Sequence, residues 1–139
     1  MNWKLIIQLS FFGLAMGIAT VFVIPSNVEP LFWLVVLGIT AYVIAVRCST
    51  KRFQHGLLVG IANSVWVTGS HVLLFSYYVA NHPREAAMMR SMPLPESPRL
   101  MMVLVGACIG VVSGVVTGLL ALLAGKLIRP RSPSSAAAA

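Results

Sequence analysis

The residues with the most chemical potential in this chain lie in its third apolar stretch. Gly60, Ser64, Thr68 and His71 recur at steps of four, four and three. A helix turns once per 3.6 residues, so these four share one face, with Asn63 about 100° round from Ser64. Phe75 and Tyr78 continue that face. An imidazole in mid-span is costly to expose to hydrocarbon, so His71 is expected to point inward. There it could relay a proton, bind a metal or contact a polar solute. The competing expectation is structural: a hydrogen bond from His71 to a Ser, a Thr or a carbonyl of another helix, worth about 0.6 kcal/mol and at most ~2 kcal/mol.

A second group is soft rather than polar. Met88, Met89 and Met92 are followed by Met101 and Met102, with His82 just upstream. Thioethers and imidazoles suit Cu(I). Read without a metal, Met88, Met89 and Met92 form the apolar face of a short amphipathic helix that touches lipid or the top of a bundle.

Hard charge is the missing ingredient. There is no Asp, and the three carboxylates are Glu29, Glu85 and Glu96. No Asp, Glu, Lys or Arg lies well inside an apolar run; Lys126 is at an end. Proton-coupled transporters generally use a membrane carboxylate. The four-span drug exporters depend on a Glu in their first helix, and the first run here has none. Neither Ser70 nor Ser76 has the helical spacing that would put it beside His71 as a dyad. No strong metal-ligand spacing and no Gly-rich phosphate loop is present. The sequence therefore argues against an enzyme and implies no cofactor.

The elements that must hold these residues are membrane spans. The chain has 139 residues, 58% hydrophobic and 9% charged, far from the balance of a soluble domain. The first run, 5–24, gives about 30 Å of helix, one bilayer core. A cleaved signal peptide is its rival reading, but the run is long for a signal core and carries Gly13-xxx-Gly17, a packing motif. Pro25 ends it and Pro30 starts the next run, 31–46, so the first two spans make an antiparallel hairpin. A basic loop, 47–52, leads to the third span, 56–80. Asn81 can cap the next helix, Pro83 fits its first turn and Glu85 suits the positive end of its dipole. That short helix, reaching Met92, lies on the membrane, and Pro93, Pro95 and Pro98 link it to the fourth span, 100–127. Residues 1–129 form one domain; 130–139, rich in Ser and Ala, is expected to be a disordered tail. The fold class is all-α: an integral membrane bundle of four transmembrane helices with an interfacial helix between the third and fourth.

The fourth span carries the most specific pattern. Gly106, Gly110, Gly114 and Gly118 repeat every four residues, leaving a bare groove on one face. In water each glycine would cost a helix about 0.5–1 kcal/mol; in lipid the backbone has no alternative partner and the groove invites another helix. Gly56, Gly60 and Ser64 in the third span, Gly13 and Gly17 in the first, and Ala41 and Ala45 in the second are relatives of it. The third span is the expected partner of the groove. Close packing inside one chain or a simple dimer accounts for the pattern; a ring of copies around a pore is the alternative.

The basic residues fix the orientation. Lys4, Arg47, Lys51, Arg52, Lys126, Arg129 and Arg131 fall on the side of the termini, and Arg84, Arg90 and Arg99 on the other. Both termini are therefore expected in the cytoplasm, and the positive charge needs no nucleic acid to explain it. Cys48, in the basic loop, and Cys108, in the last span, sit at different depths, so two free thiols are expected, with Cys108 as a small packing residue.

This layout is similar to small four-span bacterial membrane proteins of uncharacterised function. The segments that carry the resemblance are the opening hairpin, Phe53-Gln54-His55-Gly56 at the head of a polar third span, and Asn81-His82-Pro83-Arg84-Glu85 leading to a short helix and a glycine-rich fourth span. The resemblance implies a bacterial inner membrane and transfers no site. The expected role is structural or interactive, with a second copy or another membrane protein as partner. The alternatives are a small-solute or ion permeation unit using the His71 face and, third, Cu(I) handling at the Met-rich loop.

Overall fold

The computed structural model describes residues 1–128; the basic residues Arg129 and Arg131 and the tail from 130 lie outside them. The described chain is six helices: α1 (Trp3–Phe22), α2 (Glu29–Arg47), α3 (Arg52–Leu73), α4 (Phe75–Asn81), α5 (Pro83–Arg90) and α6 (Pro98–Leu127). The helices α1, α2, α3 and α6 are long and apolar enough to cross a membrane. Local chemistry explains their ends. The Leu5 N–H donates to Asn2 Oδ1 at 3.1 Å, which caps α1. Proline occupies the first turn of α2, α5 and α6, where its missing N–H loses nothing. Glu29 and Arg47 complement the dipole at the two ends of α2.

The sequence places a single third span over 56–80. In the structure that segment begins earlier, at Arg52, and bends at Leu74, whose ψ of 28° separates α3 from α4. The bend keeps its hydrogen bonds: the Leu74 N–H donates to Ser70 O, and the Tyr78 N–H to Leu74 O, both at 2.9 Å. Asn81 does not cap the next helix. Its amide reaches back to Val21 O at 2.8 Å and ties α4 to the end of α1.

Helix α3 is the centre of the bundle. It packs most extensively on α6, then on α1, while α2 packs mainly on α6. α1 and α3 run parallel, since their contacts advance together from Asn2–His55 through Gly13–Asn63 to Thr20–His71. α3 and α6 run antiparallel. The opening hairpin is a hairpin in connectivity, but α1 and α2 bring few backbone positions close. Large side chains hold them apart: Leu5, Ile6 and Leu9 meet Ala41 and Ile44 at one end, and Met16 meets Val36 at the other. Interaxial distance follows the size of what lies between the helices.

Candidate functional site

The site begins with the seam that supports it. A Cβ added at Gly56 would lie 2.6 Å from Gly118 Cα, and one at Gly60 would lie within the backbone of Gly114. Gly110 faces Ser64 and Gly106 faces Thr68. The stripe Gly56, Gly60, Ser64, Thr68 thus meets Gly118, Gly114, Gly110, Gly106 one for one. The Ser64 hydroxyl donates to Gly106 O across the seam. On the other side of α3, a Cβ at Gly13 would lie 2.5 Å from Asn63 Cα, and one at Gly17 would lie 2.9 Å from Val67 Cα.

Where α2 closes on α6 and α3, the space between them is filled. Thr40, Ala41 and Ile44 of α2, and Thr117, Gly118 and Ala121 of α6, are buried there. Towards the opposite end α2 stands away from α6, and a cavity of about 450 Å³ opens. Its walls are one stripe of α2 (Glu29, Trp33, Leu37), the polar face of α3 and the first half of α6. α5 and the segment after it roof the cavity: Glu85, Met89 and Met92 line it with Met101 and Met102 of α6, as does Met88, which stays largely exposed.

All four residues of the expected polar site, Asn63, Ser64, Thr68 and His71, line this cavity. They do not act as one row. Asn63, offset from the others, accepts the Gly13 N–H on its Oδ1 at 3.0 Å and so faces α1. His71 Nε2 lies 2.8 Å from Thr20 Oγ1. That hydroxyl also lies 2.9 Å from Met16 O and 3.1 Å from Gly17 O. A hydroxyl donating to those carbonyls accepts from Nε2–H, which assigns the proton of the ring to Nε2. Nδ1 then carries the lone pair. It has no hydrogen-bond partner among the described residues, and the His71 residue lines the cavity.

The His71 ring stacks on Tyr78 at 4.4 Å, and Tyr78 on His82 at 4.5 Å. His82 is buried outside the cavity lining, with Nδ1 3.0 Å from Tyr78 O. The soft group is therefore split: the methionines and His71 share one space, and His82 does not. Among the described residues no cluster of three or more His, Cys, Asp or Glu could hold a metal.

Two of the three carboxylates are at this site. Glu29 accepts the Trp33 indole N–H at 3.0 Å, which fixes that ring on the wall. The Ser26 hydroxyl beside Glu85 holds its carboxyl below the ordinary glutamate value. Cys48 is buried beneath the basic loop, where desolvation pushes its thiol up. Cys108 is not the packing residue expected of it; it is exposed on the outer face of α6.

Several positioning residues lie outside the patterns that mark the site in the sequence. His55 clamps the start of α1, accepting the Asn2 N–H on Nε2 at 2.9 Å while Nδ1 lies 2.8 Å from Lys51 O. Trp66 donates to Ser10 Oγ at 3.2 Å. The signal for them is in α1: Ser10, Gly13, Gly17 and Thr20 recur at steps of three, four and three, a small and polar stripe in an otherwise apolar span. Comparison of the chain with protein-family models, with curated proteins and with solved structures gives no match.

Proposed function

We propose that this is a non-enzymatic four-span protein of the bacterial inner membrane that binds a small amphiphilic molecule in the cavity between α2, α3 and α6. The observation that carries the reading is the meeting of the His71 face with a cavity of about 450 Å³, a size and apolar lining typical of small-molecule sites. The glycine ladder acts as a glycine zipper within one chain and builds the floor beneath that cavity. A role in assembly through the ladder draws less support, because α3 already occupies all four α6 glycines. The charge bias puts both termini in the cytoplasm, so the roof α5 and the mouth face outward. The lining stops at Gly60 and Ser113, part-way along the seam; a permeation unit would have to part the zipper to complete a path.

The test is binding by the full chain in nanodiscs, read by calorimetry against empty nanodiscs. Saturable binding of an amphiphile that disappears when Met102→Trp fills the space is the expected result. Binding that ignores the filled cavity would sink the reading.

One observation favours a second reading, Cu(I) handling: Met88, Met89, Met92, Met101 and Met102 line the same space. It requires Cu(I) binding that is lost when Met88, Met89 and Met92 are all replaced by Leu.

A further inference from the structure

We infer that the cavity selects a lipophilic cation, a protonated or quaternary amine on an apolar body; this rests on the amphiphile-binding reading above. The chain carries ten Lys and Arg against three carboxylates. Yet two of those carboxylates, Glu29 and Glu85, line this one cavity, and no Lys or Arg among the described residues does. In a strongly basic protein the cavity is a local island of negative charge. Of the nearby arginines, exposed Arg84 acts on the Glu85 carboxyl more weakly than Ser26 does, and Arg99 is drawn aside, its guanidinium carbon 5.2 Å from the centre of the Phe75 ring.

The position of the two carboxylates gives the orientation of the guest. Glu29 opens α2 and Glu85 lies in the first turn of α5, so both stand at the mouth. The cationic head belongs there, beside the Trp33 ring, whose face also attracts cations. Trp33 is already oriented by its bond to Glu29, so its ring is preorganised. The apolar body extends inward past the methionines, whose flexible thioethers adapt to varied shapes, along Leu37, Val67, Val105 and Ile109. His71, stacked on Tyr78 at 4.4 Å, lies at the outer part of the lining, and Gly60 and Ser113 close the inner end. A free metal ion would leave most of such a space empty, and an anion would meet two carboxylates.

The experiment uses a matched pair of probes, 6-phenylhexyl-trimethylammonium and its neutral tert-butyl carbon isostere, identical in shape and different only in charge. Both are titrated into nanodiscs of uncharged lipid containing the full chain. The ammonium is expected to bind at least tenfold more tightly than the isostere. Glu29→Gln with Glu85→Gln should bring it down to the level of the isostere and leave the isostere unchanged. The amide that replaces the Glu29 carboxylate keeps an oxygen for the Trp33 N–H, so the wall survives. A single cooperative melting transition checks that the double variant is folded, and Glu85→Gln alone gives a partial loss. Saturable binding of both probes without preference for charge overturns the cation assignment and leaves amphiphile binding standing. No saturable binding of either probe overturns both.

Discussion

The two ends of the α2–α3–α6 wedge are made of the same three helices and end up as opposites. Near the termini the helices touch through glycine, alanine and threonine, and the interior is dry and full. Near α5 the same helices carry Trp33, Leu37, Val67, Val105, Met101 and Met102, and the interior is open. Nothing about helix geometry changes between the halves; side-chain volume does. Small residues draw axes together until backbones meet, and bulky ones prop them apart. A helical bundle of this size can thus hold a cavity beside a seam packed with no room to spare.

The sharpest way to break this contrast is to thicken the closed half. Gly60→Leu forces side-chain atoms into the Gly114 backbone and is expected to cost about 3 kcal/mol or more, the upper range for overpacking. Unfolding in graded denaturing detergent measures it. Met102→Leu, a volume-conserving change in the open half, should cost well under about 1.5 kcal/mol by the same assay. Equal costs would abolish the distinction between the halves.

A smaller effect tests the strut between them. Thr20→Val leaves His71 Nε2–H without its partner and is expected to destabilise by about 0.6–1.7 kcal/mol, the range for polar contacts between membrane helices. His71→Gln, read by both melting and probe binding, separates packing from ligand contact: binding should fall by more than stability does. At the closed end, Lys51 stands in the left-handed region with φ of 55°. Lys51→Gly removes that strain and should stabilise by up to about 1 kcal/mol, without changing the cavity.

The faintest effect is confined to the open end. Glu85 has its carboxyl pulled below the usual value of 4.5, chiefly by the Ser26 hydroxyl. A depressed carboxylate contributes stability that is present above its unfolded value and lost as pH falls through its folded one. Melting should therefore drop slightly as pH falls below about 4.5, and Ser26→Ala should remove that dependence. Because Glu85 is near the surface, the change is small and screened by salt.

Run length, proline and the loop signals made legible the four helices that are long and apolar enough to cross a membrane, and the small residues of α3 pointed to it as the partner of the α6 glycines. The spacing of Ser64, Thr68 and His71 marked a face, because a helix converts spacing into direction without any tertiary information. What stayed hidden was distance. No residue pattern announces the bend at Leu74, where neither Gly nor Pro stands and the hydrogen bonds continue through. The cavity itself is a property of three helices diverging. It could not be read from any one of them, and Glu29 and Glu85, 56 positions apart in the sequence, gave no hint of sharing it. The Cys108 expectation failed for a related reason: a small residue beside a glycine ladder is placed by its angle, and 108 turns away from the groove that 106 and 110 form.

The position of α3 also has a consequence for how the molecule is made. Its two neighbours are synthesised at different times, α1 before it and α6 after it. While the chain is emerging, α3 can settle along α1 at once, but its second bare flank must wait for α6. Any partner that masked this flank in the interval would act as a chaperone, and a chain cut short before residue 98 would be left with an unfinished edge that quality-control proteases could recognise.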